Sequence, residues 1–109
     1  MKIKTKVWLE KEGRLVFGCG KALILQSIGE TGSINKTAKD LDMSYRHAWS
    51  CINEIEKRLG VNLIEKTKGG KGGGGAQLTD YARSLIEKYN LLKKEVEEFA
   101  DKKEKEIFV

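Results

Sequence analysis

The sequence predicts a mainly α fold with a small β component, and three observations predict it. Between Ser33 and Gly60, apolar residues recur at helical spacing, stop around Leu41 to Met43, and then restart. After Gly60, a strand-like run from Val61 to Lys68 is separated from a second short run, Ala76 to Thr79, by glycines carrying one lysine. From Leu78 to Phe99, apolar residues alternate at spacings of four and three, the seam of a coiled coil. The first pattern outlines a helix-turn-helix, the second a wing of two strands, and the third a long C-terminal helix.

The remaining elements follow along the chain. Ile3, Thr5, Val7 and Leu9 alternate with lysines and an out-of-phase Trp8, Lys11-Glu-Gly13 interrupts, and Arg14-Leu-Val-Phe17 follows, which predicts an N-terminal β-hairpin with a Gly turn. Gly18-Cys-Gly20 ends the hairpin. Lys21 to Ile28 reads as a first helix, mostly core, closed by Gly29 and Gly32. Ser33 and Ser44 each precede a periodic run, where a hydroxyl can cap free N–H groups, and Gly60 supplies a C-terminal stop. Ala38 is small enough for two helices to cross closely, with Leu41 and Met43 as the apolar corner. Thr79 can cap the last helix, whose roughly 25 residues span about 38 Å. Residues 1–78 are thus expected to form a winged helix-turn-helix, and residues 79–109 a dimerisation helix in the same structural unit.

Composition narrows the function. With 39% hydrophobic and 34% charged residues, a chain of 109 residues supports one small core and leaves little room for a large catalytic cleft. No carboxylate pair, nucleophile with its base, or metal cluster stands out, so neither an enzyme nor a cofactor is expected. Cys19 and Cys51 lie far apart without a CxxC pattern and read as small buried hydrophobes, and the single His47 cannot build a metal site alone. No apolar run approaches the roughly 20 residues needed to cross a bilayer, and the first residues lack a secretory apolar stretch, so a cytoplasmic protein without membrane contact is expected. Charge is divided unevenly: residues 1–76 hold 14 Lys and Arg against 8 Asp and Glu, residues 77–109 hold 7 against 8. The basic excess therefore belongs to the helix-turn-helix part, where it favours phosphate.

Helical geometry sorts the second motif helix. At about 100° per residue, Ala48, Ile52, Ile55 and Leu59 fall on one side, while Arg46, Ser50, Asn53 and Lys57 gather opposite. The first set packs and the second faces outward. Arg46 suits a bidentate contact to guanine, Asn53 to adenine, and Ser50 either base or a phosphate. Ser44 and Tyr45 open the helix, where exposed N–H groups favour phosphate, and Ser33, Asn35 and Lys36 open the preceding one. Trp49, at the border, reads either as rim packing or as a DNA contact. Gly70, Gly72 and Gly75 formally satisfy G-x-G-x-x-G, but any glycine-rich run does, and Lys71 is not followed by Ser or Thr as a phosphate-binding loop requires. A side-chain-poor wing tip approaching the DNA backbone is the better reading, with Lys66, Lys68 and Lys71 meeting phosphates.

Gly32-Ser-Ile34, Ser44-Tyr45 with Ala48-Trp49, Asn53-Glu54, and above all Thr67-Lys-Gly-Gly-Lys-Gly-Gly-Gly-Gly75-Ala-Gln-Leu-Thr79 resemble the DNA-binding half of molybdate-responsive transcriptional regulators of the ModE type. The winged helix is also similar to that of LysR-type regulators. The resemblance implies a dimeric winged helix-turn-helix transcription factor. Such regulators commonly carry a C-terminal molybdate-binding region, for which residues to Val109 leave no space, so either a separate effector-binding protein docks onto the dimer or DNA binding is constitutive and controlled by protein abundance.

The last helix needs a partner. Leu85, Tyr89, Leu92, Val96 and Phe99 lie on its seam, and the simplest partner is the same helix of a second chain, because twofold proteins read palindromic DNA. A homodimer on a palindromic double-stranded operator is therefore expected. The alternative is a winged-helix protein-interaction adaptor that does not read DNA.

Overall fold

The computed structural model describes residues 1–67 and 75–108. Its elements run β1 (Leu9–Lys11), β2 (Arg14–Phe17), α1 (Cys19–Thr31), α2 (Ile34–Asp40), α3 (Tyr45–Leu59), β3 (Ile64–Thr67), β4 (Gly75–Leu78) and α4 (Asp80–Ile107). The helices dominate and the strands form two antiparallel pairs, β1 with β2 and β3 with β4. The winged helix-turn-helix is thus the observed architecture.

β1 and β2 turn at Glu12 and Gly13, which have φ of 54° and 78°. A two-residue loop with left-handed φ at both positions matches the twist of the strands it joins. The hairpin is shorter than the alternation from Ile3 predicts. β2 ends at Phe17 and α1 begins at Cys19, so residues before Leu9 have no strand to pair with. They run instead along α4. The Val7 carbonyl accepts the Tyr89 hydroxyl at 2.8 Å, and the Met1 ammonium lies 3.7 Å from the Glu104 carboxylate.

α1 is also longer than its periodicity predicts. Gly29 lies inside it, where a Cβ would come within 2.9 Å of Leu78 Cδ1, so the missing side chain lets β4 pack onto the helix. The cap is Gly32, at φ 70°, whose N–H donates to the Ile28 carbonyl at 2.8 Å. The Ser33 hydroxyl accepts from the Lys36 amide and that of Ser44 from the His47 amide, both at 3.0 Å, as their positions predict. Between these helices Asp42 takes a left-handed φ of 55°, and the Met43 amide returns to the Ala38 carbonyl at 2.9 Å. Gly60, at φ 67°, ends α3.

Phe17, Leu25, Ile28, Ile52, Ile55 and Leu63 are fully buried, so one core draws on the hairpin, α1, α3 and the approach to the wing. Burying each such side chain contributes about 1.5–3 kcal/mol before entropy is counted. Thr79 joins two parts of this structure. Its amide donates to the Leu63 carbonyl at 3.0 Å and its hydroxyl to the Asn62 carbonyl at 2.8 Å, while that hydroxyl also accepts the Ala82 amide at 3.2 Å to cap α4.

The expected seam of α4 divides. Leu78, Ala82 and Tyr89 turn into the chain's own core together with Ile86, which the spacing of four and three passes over, and Leu85 packs partly against them. The first turns of α4 lie against α1 and β4, so the core of the same chain claims that face. Tyr89, expected to face a partner helix, is only 3% exposed, its ring meeting Phe17 edge-on at 5.2 Å between centroids. Beyond it Leu92 is 40% and Phe99 63% exposed, while Val96 is half-buried. Cys19, expected to be buried, is exposed because it opens α1 at the edge of the hairpin; Cys51 is half-buried, and both thiols are free.

Tyr89→Phe is expected to cost about 1 kcal/mol at neutral pH, the net worth of one hydrogen bond. Burial, with nearby Cys19 adding to it, raises the Tyr89 hydroxyl pKa above its ordinary 10.0. A raised value contributes stability that is present below 10.0 and lost as pH rises through the folded value. Denaturant melts of the two proteins should therefore converge above pH 10.0; a gap that stays constant there would contradict this role.

Candidate nucleic-acid interface

The four sides of α3 have four different surroundings. Ala48, Ile52 and Ile55 are buried and Leu59 packs partly against the core, while Arg46, Ser50, Asn53 and Lys57 are all exposed. The helix thus presents the outward face that its spacing predicts. The remaining two sides carry interactions that periodicity alone does not reveal.

On the first flank, Glu54 pairs with Lys21 of α1 at 3.2 Å and with Arg58 at 2.6 Å. The Lys21 hydrogen bond holds the Glu54 carboxyl below its ordinary value, against the opposing effect of burial, and the charges of Lys21 and Arg58 act in the same direction as the hydrogen bond. Arg58 also donates to the Leu15 carbonyl of β2, and Lys11 reaches the Arg58 carbonyl at 3.3 Å. The hairpin is thereby tied to α3. On this side Cys51 Sγ lies 3.7 Å from His47 Nε2, and among the described residues no three His, Cys, Asp or Glu side chains are grouped to hold a metal.

The second flank faces the wing. The Glu56 carboxylate accepts the Leu63 amide at 2.8 Å, fixing the chain after Gly60. Tyr45 and Trp49, four residues apart and so stacked on one side, are joined by a 2.6 Å hydrogen bond from the indole N–H to the phenol oxygen. Lys66 of β3 places its ammonium 5.1 Å from the Trp49 ring centroid. Trp49 is half-buried, so it belongs to the rim between helix and wing. Ser33, Asn35, Tyr45, Trp49, Lys66 and Thr67 border a cleft of about 290 Å³ there.

The electrostatic result favours an anionic partner. Both acidic side chains in the middle of α3 are turned aside and engaged, Glu54 by two cations and Glu56 by a backbone amide. Among the described residues, Arg46, Lys36 and Lys57 are in no ion pair. Asn35 and Lys36 are exposed on α2, whereas the hydroxyls of Ser33 and Ser44 are committed to their caps. Lys68 and Lys71, with the glycines from Gly69 to Gly74, lie outside the described residues. Sequence reasoning missed the Lys21, Glu54 and Arg58 cluster, whose only signal was the spacing of Glu54 and Arg58. It also missed the close approach of Gly75, where a Cβ would meet the Gly32 carbonyl oxygen at 3.0 Å.

Residues 21–83 match the bacterial regulatory helix-turn-helix protein, lysR family. Over 92 residues the chain is 39% identical to the DNA-binding transcriptional dual regulator ModE of Escherichia coli (strain K12), covering 84% of this chain and 35% of that protein. Over 79 residues it is 37% identical to the molybdenum transport protein ModE of Azotobacter vinelandii, covering 72% of this chain and 29% of that one. The chain thus spans about a third of the length of these relatives. Among solved structures, the BenM_DBD/benA site 1 DNA complex aligns with a TM-score of 0.58 at 17% identity, covering 79% of this chain and 94% of that chain. The CbnR_DBD–DNA complex aligns with a TM-score of 0.58 at 20% identity, covering 77% and 91%. At such identities the likeness carries the fold alone. Because the family match extends over more than half of the sequence, this chain belongs to the lysR family of bacterial regulatory helix-turn-helix proteins.

Proposed function

We propose that this chain is a sequence-specific, DNA-binding transcriptional regulator that acts as a homodimer in the cytoplasm. The observation that carries the reading is the bare face of α3, where Arg46, Ser50, Asn53 and Lys57 are exposed while Glu54 and Glu56 are engaged elsewhere. Such a helix fits the major groove, with Arg46 able to bridge two acceptors of guanine and Asn53 to pair with adenine. Asn35 and Lys36 of α2, with Lys68 and Lys71, would meet the flanking backbone. The relatives' names, a DNA-binding transcriptional dual regulator among them, support the same reading. Residues 1–78 would do the reading and residues 79–109 the pairing.

The exposed stripe on α4 supports the dimer. Tyr81, Leu92 and Phe99, with half-buried Leu85 between them, lie on one side of the helix beside the side taken by Tyr89 and the N-terminal segment. A second copy of the same helix would cover these side chains and place two recognition helices for a palindromic site. The competing adaptor reading uses the same stripe for a different protein. It predicts no salt-dependent affinity for duplex DNA, whereas each neutralised phosphate steepens the salt dependence by about 0.9 in log–log slope.

Arg46→Ala is expected to weaken binding to a duplex selected from a randomised pool by about 1–3 kcal/mol and to relax preference at one base pair per half-site. Titrations against the selected and the random duplex decide this, and equal losses on both would remove Arg46 from the base-reading set. Leu92→Lys should convert a dimer to a monomer in sedimentation and lower duplex affinity, since a charge would then face the partner helix. A wild-type protein that sediments as a monomer at micromolar concentration would defeat the dimer.

A relative named for molybdenum transport makes molybdate the first effector to test, and we propose that residues 1–109 do not bind it themselves. Calorimetry of molybdate into this chain alone is then expected to show no micromolar binding. Binding at that strength would instead put the effector site on the chain itself.

A further inference from the structure

Besides the packing of Leu78 on α1 and the bonds of Leu63 and Thr79, two contacts hold the outer end of the wing, and they differ in kind. β4 is fixed through its backbone: the Ala76 amide donates to the Gly32 carbonyl at 2.9 Å, and a Cβ at Gly75 would lie 3.0 Å from that same oxygen and 2.8 Å from Thr67 Oγ1. β3 pairs with β4 in the register Lys66 with Ala76 and Thr67 with Gly75. At that level its contact with α3 is made by a side chain, the Lys66 ammonium over the Trp49 indole. The indole is oriented in turn by its hydrogen bond to Tyr45, one turn earlier on the recognition helix.

We infer that Tyr45, Trp49 and Lys66 form a positioning set that fixes the wing against the recognition helix, and that Lys66 acts there rather than as a phosphate contact. This rests on the DNA-binding reading for its consequence but not for its geometry. An ammonium over an indole face is attracted by the ring's negative charge distribution, and an arginine can take the same place. The phenol oxygen accepts the indole N–H and so sets the tilt of the ring to which the ammonium is bound. The angle between recognition helix and wing is thereby set before DNA arrives, so that ordering cost is not charged to binding. The cleft of about 290 Å³ beside these side chains stays open between α2 and the wing.

The test compares wild type, Lys66→Gln, Lys66→Arg and Tyr45→Phe. In the free protein, amide exchange at Ile64 to Thr67 and at Ala76 to Leu78 is expected to speed up about two- to fivefold in Lys66→Gln, the loss expected of an exposed cation–π contact, and to return to wild type in Lys66→Arg. Tyr45→Phe, with the indole N–H freed, should show part of the same acceleration. On a random-sequence duplex pool, Lys66→Gln should bind more weakly with an unchanged salt slope. Lys66 is exposed and lies in no core, so the variant is expected to fold. Unchanged exchange in Lys66→Gln overturns the inference, and so does a salt slope flattened by about 0.9, the signature of a lost phosphate contact. If wild type binds no duplex at all, the function proposed above fails while the exchange measurement still decides whether these three residues hold the wing.

Discussion

α3 is gripped from three sides and left bare on the fourth, so each quarter of its circumference has a different task. Ala48, Ile52 and Ile55 are buried, so the helix cannot roll without opening the core. Glu54 and Arg58 bind it to α1 and the hairpin, Tyr45 and Trp49 bind it to the wing, and the fourth quarter carries polar side chains that nothing covers. Hairpin, first helix and wing surround α3 like three sides of a mount. Each of these contacts alone is modest, with exposed ion pairs typically worth under about 1 kcal/mol. Their value lies in coming from different directions.

The same arrangement keeps the acidic residues in the middle of α3 off its outward face. Glu54 is paired with two cations, while Glu56 keeps its charge and is turned toward the wing by the Leu63 amide. Each carboxylate therefore does structural work away from the outward face. Exchanging them for neutral residues would remove negative charge and loosen the frame together, so surface charge and rigidity are not independent variables in this domain.

How much of this the sequence disclosed depended on the range of the interaction. The caps at Ser33, Ser44 and Thr79, the left-handed stop at Gly60, and the division of α3 into inner and outer faces are decided by residues within one or two turns, and all were legible. The strand from Ile3 was not, because its alternation says nothing about whether a partner strand exists, and β2 is too short to supply one. Gly29 looked like a helix stop and is a packing site, since only the approach of Leu78 from 49 positions further on reveals why a side chain is excluded. The spacing of α4 marked Tyr89 as partner-facing; which stripe of an amphipathic helix its own domain takes is settled by what lies opposite, here Phe17 and Val7. Lys66 was legible as basic and exposed, but not as paired with an aromatic ring of a different element.

The hydrogen bond from Tyr89 to Val7 joins residues 82 positions apart. On a ribosome the segment before β1 is made before every helix, yet the helix it lies against, α4, follows all the other elements described. At about 5–20 residues per second, that separation corresponds to roughly 4–16 s during which Val7 has no native partner. The hairpin, α1 and α3 have shorter-range contacts and can assemble in that interval, while the first eight residues wait for α4. Docking of that segment therefore follows the synthesis of α4, and a nascent chain halted within α4 would hold the hairpin, α1 and α3 with its N-terminal strap still loose.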